Sequence, residues 1–114
     1  MAEPWLRELR SLLERAAPKL GPGAGIECRH FFGGAAAWAD GRIFMSLTPA
    51  GLALKLPAEA RVQLMEAGAR PLRYFPKGPV KKAYVLLPEK LARDDDVIAP
   101  WIEESIRFAR AGDD

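Results

Sequence analysis

Cys28 and His30 are the side chains of this sequence best suited to nucleophilic chemistry. They lie two residues apart in a strand-like run, so their side chains point the same way, and the chemistry they offer is that of a thiolate–imidazole pair. Residues so spaced are about 7 Å apart along a strand, which suits packing better than a hydrogen-bonded pair. His30 is the only histidine, and no third group follows that would orient its ring. Two such ligands also fall short of a metal site, which needs a larger cluster. A small-molecule or enzymatic site near Cys28 and His30 is therefore the lesser alternative, and no metal or cofactor is expected.

A second chemistry is offered by Arg70, Arg73, Lys77, Lys81 and Lys82, with no acid between Glu66 and Glu89 and with Tyr74, Phe75 and Tyr84 interleaved. Cations meet phosphates and aromatic rings stack on bases. A solvated loop anchored to the core by its aromatics explains the same residues and is the preferred account, so nucleic acid is admissible as a partner but not favoured. Asp94, Asp95 and Asp96 lack the spacing of a cation loop and are better placed to cap a helix. The glycines of 21–25 are followed by no Lys-Ser/Thr pair, so they form a loop rather than a phosphate cradle.

The elements that position these residues are legible from periodicity. Pro4 opens a helix, and Trp5, Leu6, Leu9, Leu12, Leu13 and Ala16 give it one apolar stripe. Pro18 and the glycine run end it. Strands follow at 26–32, 35–39, 42–47 and 52–56. Gly33-Gly34 reads as a bulge or bend between the first two. Asp40-Gly41 is a hairpin turn, because both central residues of a type I′ turn need positive φ. Thr48-Pro49-Ala50-Gly51 makes the next turn. Leu52, Leu54 and Leu56 then share one strand face, with Ala53 and Lys55 on the other. Lys55 there is either an edge-protecting charge or part of a ligand-facing surface.

A second helix opens at Pro57, offers Ala60, Val62, Leu64, Met65 and Ala67 as apolar positions, and stops at Gly68. Prolines keep 70–80 extended and irregular. A last strand spans 81–87, and 88–91 makes a short helical turn. The third long helix follows the three aspartates, with Pro100 in its first turn and Val97, Ile98, Trp101, Ile102, Ser105, Ile106 and Ala109 as its stripe. Trp5 and Trp101 belong to the core. Trp38 either covers a core edge or faces a partner.

Composition narrows the classes further. A chain of 114 residues, 49% of them hydrophobic, holds one core and is expected to form one domain, 1–114. A net charge of +2 does not by itself imply nucleic-acid binding. A single cysteine allows no internal disulfide and suits a reducing compartment. Glu3 and Glu8 and the shortness of the apolar runs point away from a signal peptide and a membrane span. A cytoplasmic protein with no membrane partner is the expectation.

Taken in order, Arg29, Phe32-Gly33-Gly34, Asp40-Gly41, Phe44, Leu54-Lys55, Gly68, Pro71 with Tyr74, Tyr84 and Pro88 resemble the pattern of the TfoX N-terminal domain family, named for a regulator of bacterial competence. The resemblance spans roughly residues 5 to 110. Phe31 stands where the family commonly has Met, and Lys82-Ala83-Tyr84 where it commonly has Met-Ser-Tyr. The resemblance implies a two-layer α/β arrangement, and mainly structural roles for the motif residues. Full-length competence regulators carry a second, C-terminal domain, so it does not imply a regulator's whole role.

The combined expectation is an α+β two-layer sandwich. An antiparallel sheet of about five strands carries three helices, in the order α-β-β-β-β-α-β-α. The expected function is that of a non-catalytic regulatory or protein-binding module, homodimeric through a sheet edge or helix face and engaging an unidentified protein partner. Arg70, Arg73, Tyr74, Lys77, Lys81, Lys82 and Tyr84 are the candidate binding residues.

Overall fold

The computed structural model describes residues 3–20, 25–31, 33–73 and 77–112, with the backbone alone for residues 3 and 16–20. Phe32, Tyr74, Phe75 and the loop 21–24 lie outside the described residues, as does the side chain of Ala16. Helix α1 (Glu3–Leu20) buries Leu6, Leu9 and Leu12, with Trp5 and Leu13 packed at the core margin. It does not stop at Pro18. A proline removes one ladder hydrogen bond, and the last turn closes beyond it.

Strands β1 (Ile26–Phe31) and β2 (Gly34–Ala39) form a hairpin in which Phe31 faces Gly34. The paired glycines, expected as a bulge or bend between the two strands, serve different ends: Gly33 lies in the reversal and Gly34 is the first residue of β2. Gly33, at φ +75°, is in the turn. Gly34 lies so close to the end of β3 (Arg42–Thr48) that a Cβ would sit 2.7 Å from Thr48 Cα and run into the Leu47 carbonyl. The bulge is elsewhere. The β2–β3 register shifts between Ala37 and Trp38, with Ala37 opposite Met45 and Trp38 opposite Ile43. Phe44 is the extra residue, and both Phe44 and Met45 enter the core, as a bulge permits.

Asp40 and Gly41 have φ of 51° and 81°, the two positive values of the expected type I′ turn. Strand β4 (Gly51–Lys55) follows a turn in which Thr48 Oγ1 accepts the Ala50 N–H at 3.1 Å. Leu52, Leu54 and the adjoining Leu56 are all buried in the core. Helix α2 (Ala58–Glu66) closes as its glycine foretold: Gly68 N–H donates to Met65 O at 3.1 Å and Ala69 N–H to Leu64 O at 2.9 Å, the paired bonds of a Schellman motif. Only Ala60 and Leu64 of its expected stripe are buried. Val62 and Met65 are exposed, because two helical positions cannot share a face with neighbours two and one residues away.

The segment after α2 contains a strand that its proline disguised. Strand β5 (Arg70–Leu72) pairs with β6 (Lys81–Leu86). Pro71 is tolerated because β5 is the outermost strand. A short helix α3 (Glu89–Ala92) precedes α4 (Asp95–Arg110). The Asp94 carboxylate caps α4, accepting the N–H groups of Asp96 at 3.1 Å and Val97 at 3.3 Å. Pro100 is the sixth residue of that helix rather than part of its first turn. In the helical stripe Val97 is exposed, and Ala99, unforeseen, is buried.

The sheet has six strands in the order β1-β2-β3-β4-β6-β5, each antiparallel to its neighbours. The two additions to the expected count are β5 and α3. Strands β4 and β5 are both antiparallel to β6, so they run parallel to each other, and α2 is their crossover. All four helices of the described residues contribute to one core on one face of the sheet. A salt bridge between Arg15 and Asp95 at 3.0 Å ties α1 to α4, and Arg110 Nε donates to Asp40 Oδ2 at 2.8 Å, tying the far end of α4 to the β2–β3 turn. Among the described residues no helix is long and apolar enough to cross a membrane.

Candidate partner interface on the open sheet face

Strand alternation sends every second side chain to the face that carries no helix among the described residues. One row crosses all six strands there: Arg29, Ala36, Ser46, Ala53, Leu86 and Arg70 stand opposite one another in turn. The row spans about 24 Å at ordinary strand spacing. Its middle is small and fully buried at Ala36, Ser46 and Ala53, and its ends are exposed arginines.

Larger groups lean over the Arg29 end. Phe31 and Trp38 belong to rungs on either side of the Arg29/Ala36 pair. Their rings nonetheless meet edge to face, with centroids 6.0 Å apart and planes at 82°. They close over the small Ala36 to do so. The Arg29 guanidinium lies 4.4 Å from the centroid of the Trp38 ring, within cation–π range. Glu27 Oε1 is 3.8 Å from Arg29 Nη2. Arg29, a residue of the family motif, is thus also the cationic lid of an aromatic pair. Trp38 faces away from the core, so it does not cover a core edge.

Lys55 and Tyr84 stand opposite each other on the same open face. Strand β4 is interior to the sheet, so Lys55 is not an edge-protecting charge. Phe44, Asp40, Gly41, Gly33, Gly34 and Gly68 act through the core, turns and cap already described.

The basic residues of the 70–82 segment are all exposed. Arg70 is on β5, Lys81 and Lys82 on β6, and Lys77 in the connection between them. Arg73 Nη1 donates to Gly78 O at 2.8 Å, closing that connection. Arg61 Nη1 donates to Lys82 O at 2.6 Å. Among the described residues none of the five cations is in an ion pair. Tyr74 and Phe75 lie outside the described residues, so Tyr84 is the one ring of this set that is placed.

The thiol chemistry gains no support from the surroundings of Cys28. It is half-buried on the helix side of β1, and His30 is exposed. Burial pushes the Cys28 thiol up, with Arg10 pulling weakly the other way, which is the wrong direction for a nucleophilic thiolate. Among the described residues no group of three or more His, Cys, Asp or Glu is placed to hold a metal ion. A cleft of about 510 Å³ between the start of α2 and α4 is lined by Trp101, Glu59 and Glu104, so the half-buried Trp101 is a cleft wall as well as a core margin.

The Arg29–Trp38–Phe31 stack was the feature least visible in the sequence. Its signal is the register of one hairpin: pairing Phe31 with Gly34 puts Arg29 opposite Ala36 and on the face of Trp38. Reading the glycines as a bend conceals it.

An open antiparallel sheet with its helices on one side and an arginine–aromatic stack on the other defines a small two-layer α+β domain. The model of the TfoX N-terminal domain family matches residues 19–109, and the chain belongs to that family. The match begins in the last turn of α1, later than the span suggested by the sequence motifs. No curated protein matches the chain.

Proposed function

We propose that this domain is a non-catalytic protein-binding module serving regulation of the kind for which its family is named, and that it meets its partner through the open sheet face. The Arg29–Trp38–Phe31 stack carries this reading. Tryptophan and arginine dominate binding hot spots because they offer large area with a fixed polar handle. Here the guanidinium is already held over the ring, so less freedom is lost on association. The test is affinity capture from the native cell with the wild-type domain and Trp38→Ala, with bound proteins identified by mass spectrometry. A protein retained by the wild type and lost with Trp38→Ala supports the reading. Equal retention by both overturns it.

A second reading rests on the five exposed cations of 70–82, which have no acidic partners among the described residues. In it the domain is an accessory that binds nucleic acid through phosphate contacts. Fluorescence anisotropy with single- and double-stranded oligonucleotides would show binding that weakens steeply with salt, and neutralising Lys77, Lys81 and Lys82 together would flatten that slope. The absence of binding at low salt removes the reading.

A further inference from the structure

We propose that a second copy of this chain pairs with the open edge of β1, antiparallel and in one register, about a two-fold axis at Cys28. This deepens the protein-binding reading by adding a partner at the strand edge beside the Trp38 stack, with Arg29 shared between the two surfaces. The two edges of the sheet differ in a way that points to it. Strand β5 is three residues long, contains Pro71 and pairs with a register shift, the devices that discourage further pairing. Strand β1 is six residues long, has no proline or lysine and keeps an unbroken register with β2.

The direction of its free backbone groups follows from one hydrogen bond. Asp40 N–H donates to Gly25 O at 2.9 Å, which makes Gly25/Asp40 a hydrogen-bonded pair. Alternation along an antiparallel ladder gives Glu27/Trp38, Arg29/Ala36 and Phe31/Gly34 the same character. The N–H and C=O groups of Ile26, Cys28 and His30 therefore point outward, away from β2.

A two-fold axis must pass opposite one residue of the strand. At Glu27 it sets that carboxylate against itself, and at Arg29 it sets that guanidinium against itself. Axes at Ile26 or His30 engage only the strand's ends. At Cys28 it sets Glu27 opposite Arg29 of the second copy, and the reverse, in the closer non-hydrogen-bonded pairs. Cys28 and its copy, and Ile26 with His30 of the second copy, make the hydrogen-bonded pairs. Both charged side chains are exposed, at 66% for Glu27 and 58% for Arg29. Helix α1 packs on β1, β2 and β3, centred on β2. Two copies of it would lie about three strand spacings, or ~14 Å, apart, wider than the 8–10 Å of touching helices. The helices do not obstruct the pairing.

Sedimentation equilibrium tests this with the wild type, Glu27→Arg, Arg29→Glu and the double variant. The wild type is expected to dimerise. Each single variant sets like charges against each other twice and raises the dissociation constant roughly tenfold or more. The double variant restores the pairing. An equimolar mixture of the two single variants forms a heterodimer, because every arginine then faces a glutamate. Circular dichroism checks that these exposed substitutions leave the fold intact. A monomeric wild type, single variants that dimerise as well as the wild type, or a mixture that fails to associate would each overturn the proposal. Trp38→Ala keeps the two readings apart: it leaves the edge pairing intact while removing the foreign partner.

Discussion

The two faces of the sheet are made by the same strands and follow opposite rules. Toward the helices, β3 and β4 present Phe44, Met45, Leu52 and Leu54, all buried with the leucines of α1 and the isoleucines of α4. On the other side the row through β2, β3 and β4 is Ala36, Ser46 and Ala53, flanked by the larger Trp38, Phe31, Lys55, Tyr84 and Leu86 and ended by the arginines. The first pattern removes apolar area from water and supplies stability. The second leaves rings and guanidinium groups partly solvated, where they add little to folding and much to association. A period of two lets one strand serve both ends without conflict.

The sharpest way to break this comparison is to remove bulk from the covered face. Phe44→Ala should cost about 3–5 kcal/mol, measured as a loss in the urea unfolding free energy. A loss below about 1 kcal/mol would mean that the covered face is not the source of stability. Ser105→Ala should cost about 1–3 kcal/mol. Its hydroxyl lies 2.8 Å from the carbonyl oxygen of Phe44 and 2.7 Å from that of Lys55, and its one proton is shared between them.

Trp38→Ala, on the open face, should cost only about 1 kcal/mol in unfolding free energy, the order of an aromatic pair and a cation–π contact, while abolishing partner capture. If it instead unfolds the domain, the division between the faces is wrong. Asp94→Ala, away from both faces, should cost about 1 kcal/mol as a lost helix cap.

The smallest effect is one of pH. Burial, opposed in part by Arg10, raises the Cys28 thiol above its ordinary value, so the unfolded chain loses that proton first as pH rises. The contribution is whole below the ordinary thiol range and disappears as pH climbs from there through the folded value. Stability of the wild type should therefore fall over that alkaline window relative to Cys28→Ser. Parallel curves would show that the thiol is not sheltered.

Much of the covered face was legible in the sequence because its signals are local. Asp40-Gly41 specifies its turn by conformation alone, Leu52, Leu54 and Leu56 announce a strand by alternation, and Gly68 closes its helix with bonds only three and five residues long. What escaped depends on pairing between distant segments. Pro71 reads as a strand breaker until β5 is known to be outermost. Val62 and Met65 look like core until the orientation of α2 is fixed. The candidate site was legible as a set of residue types more than as a place: the cations of 70–82 stand out by composition, whereas the Arg29–Trp38 contact exists only once the hairpin register is set.

Ser105 has a mechanical consequence. A helix held to a sheet by aliphatic contacts alone can shear along its axis at modest cost, because one methyl group replaces another. The Ser105 hydroxyl meets carbonyls from two different strands, one at the bulge of β3 and one at the end of β4, and a slip of a single residue would leave both without it. Helix α4 is thereby indexed to β3 and β4 at one position. An axial slip of α4 against β3 and β4 therefore carries the cost of two buried or partly buried carbonyls losing their donor.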